Sequence, residues 1–314
     1  MTRFILKRLL ILIPVLLGVS LLIFYILTLM PAEVAAIQLG MDASPETIER
    51  WNEEHGMNDP FFVRYLNYMK GLLRGDLGKS WTTKTSINKE FSERIPSTLI
   101  LTFGSLAISA VVGVTIGVIS AIKQYSIFDY TSIVSAMIIT SLPAFWLGLM
   151  LVLIFSLRLN FFPATGGGSF KSYILPWITL SAATSAQLIR MTRSTMLEVI
   201  RSDYVLTAKA KGAKPLQVIL KHELRNALLP TITVIGVILG GTLGGALVTE
   251  TVFALPGVGT YLLHGVLTYN MPVVMISVLF IATVIGIVNL IIDILYMYID
   301  PRLRSQFIKG YIAR

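Results

Sequence analysis

The chain has 314 residues, of which 54% are hydrophobic and only 14% charged, and its formal net charge is +9. A soluble domain carries about 25% charged residues, so this composition indicates lipid as the main solvent. The basic residues stand at the ends of apolar segments, which favours a topology signal over a nucleic-acid partner. The absence of cysteine excludes disulfides, thiolate metal sites and a cysteine nucleophile.

The first apolar segment, Leu9–Met30, follows a basic start that contains Arg3, Lys7 and Arg8. It is longer than the apolar core of a signal peptide, which has about 7–15 residues. At 1.5 Å per residue it can cross about 30 Å of hydrocarbon. We interpret it as a retained membrane helix, with a cleaved signal peptide as the alternative.

Residues 31–97 form a long segment of mixed charge. Ser44 followed by Pro45 is typical of a helix start, and Pro60–Lys70 carries aromatic residues at helical spacing. This pattern predicts a small helical insertion. Both packing on the membrane surface and contact with a ligand remain open as its role.

Within the insertion, Gly75–Ser80 ends like a phosphate-binding loop. Leu73 stands where the first glycine of that loop would be, and no apolar strand precedes it. The two glycines, Gly75 and Gly78, therefore predict turns rather than a nucleotide site.

Five further apolar segments follow, at 99–122, 131–157, 173–189, 228–248 and 273–299. The fourth is the most polar, so we expect it to face protein or water rather than lipid. Its polar residues Ser181, Thr184 and Gln187 are candidates for a translocation path. The prediction is an all-α membrane protein with six transmembrane helices.

Basic residues are concentrated before the first segment, in 190–226 and in 300–314. The positive-inside rule therefore predicts that both termini and 190–226 are cytoplasmic and that the insertion is external. The predicted organisation is an N-terminal helix in 1–30, the insertion in 31–97, a transmembrane core in 98–299 with a loop at 201–226, and a tail in 300–314.

Glycines recur at a spacing of four in two segments. Gly113 and Gly117 lie in the second segment, and Gly236, Gly240 and Gly244 in the fifth. Such faces allow two helices to approach closely, and both internal packing and contact with another subunit fit them.

The segment after 228–248 contains Glu250, Pro256, Gly257 and Gly259. Its proline and glycines predict a re-entrant or surface turn, which we consider a candidate external gate. No catalytic constellation is visible, because the three histidines fall in different regions and no G-x-S-x-G motif is present.

The loop within 201–226 is the most informative segment. Asp203–Gly212 predicts a short helix that ends at a glycine, with Asp203 favourable near its N-terminus. Ala213–His222 predicts a second helix with Pro215 near its start. Small residues at Ala208, Ala210 and Gly212 allow close approach by a partner protein, and an amphipathic helix on anionic lipid is the alternative.

This loop resembles the signature of bacterial ATP-binding-cassette importer permeases, which is Glu-Ala-Ala, three residues, Gly, and a closing Leu-Pro. The matching positions are Leu206-Thr207-Ala208, Gly212 and Leu229-Pro230, with the glutamate replaced. A longer string from Asp203 to Pro230, together with Gly75-Asp-Leu-Gly78 and Arg190-Met-Thr-Arg193, resembles the B-type permease of the oligopeptide/dipeptide branch. Pro31-Ala32-Glu33 departs from the Pro-Gly-Asp-Pro common in that branch.

The resemblance implies a type I importer permease fold and a place in the bacterial cytoplasmic membrane. It implies four kinds of partner: the lipid bilayer, a homologous second permease, two ATPase subunits and an extracytoplasmic solute-binding protein. ATP and Mg would be bound by the ATPases, and this chain would bind no cofactor. The loop would be the coupling helix, whose contact residues are Asp203, Tyr204, Thr207, Ala208, Ala210, Gly212 and Pro215.

For the cargo, the resemblance implies di- and oligopeptides, with nickel or another metal chelate and glutathione as alternatives within the same branch. A stand-alone secondary transporter is the alternative of a different class. Such a carrier usually needs an ionisable or broken-helix site near the membrane midplane, and the sequence does not clearly place one there.

Overall fold

The computed structural model describes residues 2–29, 34–40 and 42–299, and these residues form an all-helical chain. Their only β feature is an isolated antiparallel bridge between Lys79 and Ser86. The helices in chain order are α1 Thr2–Thr28, α2 Val34–Leu39, α3 Pro45–Glu54, α4 Phe61–Leu73, α5 Ile87–Ile122, α6 Ile127–Ser141, α7 Ala144–Leu151, α8 Phe170–Ile200, α9 Asp203–Ala210, α10 Pro215–Gln217, α11 Arg225–Val252, α12 Val258–Leu267 and α13 Met271–Ile299. π-Helical segments, Val152–Arg158 and Val218–Leu224, follow α7 and α10.

Each of the six predicted membrane segments falls on a helix or on a pair of helices. Among the described residues, α1, α5, α11 and α13 are long and apolar enough to span a membrane, and the bent pair formed by α6 with α7 and the following π-helical segment adds a fifth if it crosses as one broken span. Helix α8 is 31 residues long and carries the polar fourth segment. Many of its polar side chains, among them Thr179 and Ser185, are buried against protein, as expected from its composition.

The third segment is not one continuous helix as predicted. It bends by 101° between α6 and α7. Leu142 is extended (ψ 131°) and Pro143 precedes α7. The proline ring disfavours helical backbone in the residue before it and removes a helix hydrogen bond. By contrast, Pro230 lies inside α11 without ending it.

The described residues divide into two compact units. The first combines Met1–Thr98, as far as it is described, with Pro256–Gly286. In this unit Phe24 of α1 and Met275 of α13 are buried together, and aromatic residues of α4 pack against them. The predicted domain boundaries at residues 30 and 97 stay predictions. Two predicted features lie outside the described residues, namely the tail 300–314 and the Pro31-Ala32-Glu33 segment.

The insertion is helical, as predicted. Ser44 Oγ accepts a hydrogen bond from the Thr47 N–H at 3.3 Å, and Pro45 is the first residue of α3. Gly75 and Gly78 have φ angles of +78° and +79°, and the Gly78 N–H donates to Asp76 Oδ1 at 2.9 Å. The segment that resembles a phosphate loop is therefore a pair of turns.

The second unit combines Leu99–Leu255 with Ile287–Arg314, as far as it is described. A Cβ atom on Gly117 would lie 2.7 Å from Thr192 Cβ and 2.9 Å from the Ile189 carbonyl oxygen. Helices α5 and α8 thus approach closely through a glycine, as the spacing predicted. The glycines of α11 differ in their surroundings. Gly236 packs against Ile292 within the chain, whereas Gly240 and Gly244 face open space.

Candidate coupling surface and transport path

The loop helix α9 has a defined start and stop. Asp203 occupies its first turn, where its negative charge stabilises the helix dipole, and Thr207 Oγ1 donates to the Asp203 carbonyl at 2.8 Å. Gly212 has φ +77°, and the Gly212 and Ala213 N–H groups donate to the carbonyls of Lys209 and Ala208. This is a Schellman motif, which confirms the predicted glycine stop. A Cβ atom at Gly212 would meet nothing within 4 Å, so glycine is required by the backbone and not by space.

The second predicted loop helix begins at Pro215, as expected, but it does not end at His222. Helix α10 runs without interruption through the π-helical segment into α11. No glycine or proline separates Pro215 from Pro230, so nothing stops the helix before the membrane segment. The segment Pro215–Val252 is therefore one continuous helical rod, and the loop ends where this rod begins.

Two buried valines and one ion pair hold α9 against the start of the rod. Val205 of α9 and Val218 of the π-helical segment are fully buried. Lys209 Nζ lies 3.3 Å from Glu223 Oε1, and the side chains are 47% and 3% exposed, respectively. Because the Glu223 side chain is buried, loss of Lys209 would leave its charge without this partner, so the half-exposed pair ties α9 to the rod.

The outer surface of the loop is exposed and partly apolar. Large apolar side chains, namely Tyr204, Leu206, Leu216 and Leu220, are between 46% and 67% exposed. An exposed apolar patch of this kind is typical of a protein–protein or membrane contact. All the predicted coupling residues are exposed except Ala208, which is half-buried; the exposed ones are Asp203, Tyr204, Thr207, Ala210, Gly212 and Pro215.

A second buried ion pair joins α6 to α8. Arg193 donates two hydrogen bonds to Asp129, from Nε to Oδ1 at 2.6 Å and from Nη2 to Oδ2 at 2.8 Å. Ser120 Oγ and the Tyr125 N–H donate to the same carboxylate, which is fully buried. Sequence reasoning missed this pair. The only signals of this pair in the sequence were an acidic residue at the edge of one apolar segment and an arginine next to a different apolar segment.

The candidate path residues differ in their surroundings. Ser181 is buried, and its carbonyl accepts a hydrogen bond from Ser109 Oγ of α5 at 3.3 Å. The hydroxyls of Ser109 and Thr184 are 2.5 Å apart. These two residues of α8 therefore bind α8 to α5, and Gln187 alone of the three is exposed. Their role in a translocation path stays a prediction.

The turn after α11 forms where the proline and glycines indicated. Glu250 is fully buried, and its carbonyl accepts a hydrogen bond from the Leu255 N–H at 2.8 Å. Ala254 has φ +49°, so the left-handed position is taken by alanine and not by glycine.

In the other unit, Pro256 precedes Gly257, whose N–H donates to Thr260 Oγ1 at 3.2 Å at the start of α12. Gly259 is buried in the first turn of α12, and the Val258 N–H donates to Thr98 Oγ1 at 2.7 Å. These contacts confirm the turn, whereas the assignment of Glu250, Gly257 and their neighbours to a gate stays a prediction.

The sequence matches a family of membrane transport components over most of its length. Residues 113–305 match the family described as binding-protein-dependent transport system inner membrane component, and residues 1–102 match the N-terminal family of such membrane components. The chain belongs to this family. It is a multi-pass membrane transport subunit and not an enzyme.

Individual relatives place the chain more narrowly, among the permeases of peptide transport systems. It is 40% identical to the dipeptide transport system permease protein DppB of Alkalihalophilus pseudofirmus, over 97% of this chain and all of that one. It is 36% identical to the glutathione transport system permease protein GsiC of Escherichia coli, over 98% of this chain and all of that one. In structure it is similar to a chain of the MetNI methionine ABC transporter in an inward-facing conformation, with a TM-score of 0.56. The two chains are 19% identical, and the match covers 67% of this chain and 96% of the MetNI chain. The fold is that of an ATP-binding-cassette importer permease.

Proposed function

We propose that this chain is the permease subunit of an ATP-binding-cassette importer that moves di- and oligopeptides across the bacterial cytoplasmic membrane. The cargo would be delivered by an extracytoplasmic solute-binding protein, and ATP and Mg would be bound by two partner ATPase subunits. One observation carries the coupling role. The exposed helix α9 ends in a turn at Gly212. Its Lys209 pairs with Glu223 of the helical rod Pro215–Val252, which continues through a membrane segment.

The transmission of motion follows from this geometry. ATPase closure would displace α9, and the Lys209–Glu223 pair with the buried Val205 and Val218 would carry that displacement into the rod. Because the helical backbone runs without a break from Pro215 to Val252, a displacement at one end would be passed along it toward the membrane segment. The Asp129–Arg193 pair would keep the end of α8, from which α9 follows after two residues, fixed to α6 during this movement.

A second, homologous permease would complete the membrane part. Val237 and Val248 of α11 are exposed, and Gly241 and Gly244 between them face open space within this chain. Small residues on such a face let another helix approach to backbone contact. Both termini of the chain and α9 would be cytoplasmic, and the insertion would be external.

The cargo proposal rests on the named functions of relatives and has two alternatives within the same branch. The similarity to a dipeptide permease and to a glutathione permease favours peptides or peptide-like molecules. Nickel or another metal chelate is the further alternative. A stand-alone secondary transporter is disfavoured, because residues 113–305 match a family of components of binding-protein-dependent transport systems.

Reconstituted uptake tests the proposal. The two permeases and two ATPases are placed in liposomes with the solute-binding protein outside, and uptake of a labelled dipeptide is measured with and without ATP inside. We expect ATP-dependent accumulation that excess unlabelled tripeptide suppresses. Accumulation of glutathione or chelated nickel but not of peptides would replace the cargo, and uptake by the permeases without ATPases would refute the importer function.

A further inference from the structure

The first compact unit contains two adjoining cavities that the coupling function does not use. Their volumes are about 540 and 210 Å³. Five residues line both of them, namely His55, Asn67, Tyr68, Trp81 and Pro272. We call the two cavities together the paired recess. It lies among α3, α4, the turns around Gly78 and the start of α13.

The smaller cavity is lined by a half-buried arginine whose hydrogen bonds go to weak acceptors. Arg64 Nη2 lies 3.0 Å from Met57 Sδ and 4.0 Å from Met271 Sδ, and the guanidinium lies 5.9 Å from the centre of the Phe24 ring. Among the described residues, no carboxylate lies within 4 Å of it, and Asp59, which lines the same cavity, interacts with it through charge alone. Thioether sulfur accepts hydrogen bonds only weakly, so most of the donor capacity of this guanidinium is unused. The planar fork of an arginine fits a carboxylate through two parallel hydrogen bonds.

Tyr68 adds an unused hydroxyl at the boundary between the two cavities. Its Oη atom is buried and has no hydrogen-bond partner among the described residues. Burial raises the pKa of Tyr68, so the hydroxyl is neutral and can both donate and accept. Buried polar groups in proteins are almost always hydrogen-bonded, so we expect the Tyr68 hydroxyl to bind an atom of a ligand.

The larger cavity has an aromatic wall and charges of both signs. Trp51 and His55 stack at 4.0 Å between ring centroids, and Trp81 meets them edge-on at 5.3 and 5.7 Å. The remaining lining includes two acidic and two basic residues, Glu54, Asp76, Lys79 and Lys84. Aromatic walls with a few convergent polar groups are typical of small-molecule sites. The acidic pair suits an ammonium group, and the two lysines suit an anionic group.

We propose that the paired recess binds a short free peptide, with its terminal carboxylate on Arg64 and a backbone amide on the Tyr68 hydroxyl. A side chain of the peptide packs against Trp51, His55 and Trp81, and its ammonium group lies near Glu54 and Asp76. The proposal rests on the proposed function in taking the cargo class as its ligand. On the proposed topology the recess is external, so it would hold peptide on the outer side of the membrane.

Binding is measured on the two permeases together in phosphatidylcholine nanodiscs, without ATPases or solute-binding protein. Alanyl-alanine and its C-terminal amide are titrated, and tryptophan fluorescence and heat are recorded. We expect saturable binding of the free acid and at least about tenfold weaker binding of the amide, because the amide cannot form the charge-assisted pair with Arg64.

Three variants and one control locate the site. Arg64→Met should weaken binding of the free acid by about tenfold or more, because it removes the guanidinium. Arg64→Lys should weaken binding less, because lysine keeps the charge but loses the paired donors of the guanidinium. Tyr68→Phe should weaken binding by about three- to tenfold, which is the contribution of one hydrogen bond. It should not lower the melting temperature, since the Tyr68 hydroxyl has no partner among the described residues. Lys70→Met, on the same helix but outside both cavities, should bind as the unchanged chain does.

The proposal is overturned by the absence of saturable binding, by equal affinity for acid and amide, or by unchanged affinity in Tyr68→Phe. If phosphatidylglycerol in the nanodisc saturates the signal and the peptide does not, the recess binds a lipid headgroup instead. ATP-driven peptide uptake is measured in parallel with the full complex. Uptake without binding to the permeases refutes this inference alone, whereas absence of peptide uptake refutes the proposed function.

Discussion

Lys209 and Glu223 lie 14 residues apart and form a 3.3 Å ion pair that ties the loop helix to the first turns of the helical rod. Glu223 is 3% exposed, so its charge depends on Lys209 for compensation. The contact joins the exposed loop helix to the helix that continues through a membrane segment.

Glu223→Gln should uncouple ATP hydrolysis from transport. The amide keeps the size of the side chain but removes the charge that holds Lys209, so α9 can move without the rod. We expect hydrolysis by the reconstituted complex to change less than twofold while peptide uptake falls several-fold. The exchange Lys209→Glu with Glu223→Lys serves as the control, and it should recover part of the uptake. Equal loss in the exchange and in the single variant would argue against a pairwise link.

Gly212→Val should also uncouple the complex, for a backbone reason. A β-branched residue at φ +77° costs about 1–3 kcal/mol, although there is space for its side chain. Gly212→Asn is the matched control, because asparagine tolerates the left-handed conformation. Uptake per ATP hydrolysed should fall in the valine variant and stay close to normal in the asparagine variant. Equal behaviour of the two variants would show that the Schellman turn is not required.

Arg193→Ala should destabilise the permease itself. It leaves the buried carboxylate of Asp129 without its bidentate partner, which costs about 3–5 kcal/mol. Arg190→Ala is the control on the same helix, because Arg190 is exposed and donates one hydrogen bond, to Thr140. Thermal unfolding in detergent should show a clear drop in melting temperature for the first variant only. Similar melting temperatures for both would mean that the pair does not hold α6 to α8.

Two glycine variants should separate internal packing from subunit contact. Gly117→Leu should destabilise the chain by about 1–3 kcal/mol or more, because its side chain would overlap Thr192. Gly244→Leu meets open space within the chain, so the melting temperature of the isolated permease should stay unchanged. Its effect should be on co-purification with the second permease, which we expect to decrease. Normal co-purification would remove Gly244 from the subunit contact.

The proposed topology is tested by labelling, since the chain has no cysteine of its own. Single cysteines are placed at Lys70 in the insertion and at Lys211 in the loop, both of which are exposed. A membrane-impermeant maleimide applied to intact cells should label the first and not the second. Inverted vesicles should give the reverse. Labelling of both from the same side would contradict the topology.

Much of the fold could be predicted from local patterns. The apolar segments, the Ser44 cap, Pro215 at a helix start and the stop at Gly212 all follow from short-range backbone chemistry. The effect of a proline could not be predicted in the same way. Pro143 follows an extended residue and separates two helices, whereas Pro230 lies within a continuous one. That difference is decided by tertiary packing.

The functional contacts were harder to predict, because they join residues that no periodic pattern relates. Arg193 and Asp129 are 64 residues apart, and the Ser181 carbonyl and the Thr184 hydroxyl both contact Ser109 of α5. A polar residue on a helix looks the same in sequence whether it faces water, a ligand or another helix. The Arg64 and Tyr68 side chains show the same ambiguity, because only the structure reveals that their polar atoms lack strong partners.

The central claim is that α9 contacts an ATPase subunit, and cross-linking tests it most directly. Ala210, which is exposed, is replaced by cysteine and labelled with a maleimide photo-cross-linker in the assembled complex, with Lys70→Cys as the control. We expect a covalent adduct between the Ala210→Cys permease and an ATPase subunit, with a yield that changes when ATP is added, and no such adduct from the control. Cross-linking of Ala210→Cys to lipid alone, or an ATPase adduct formed equally by Lys70→Cys, would contradict it.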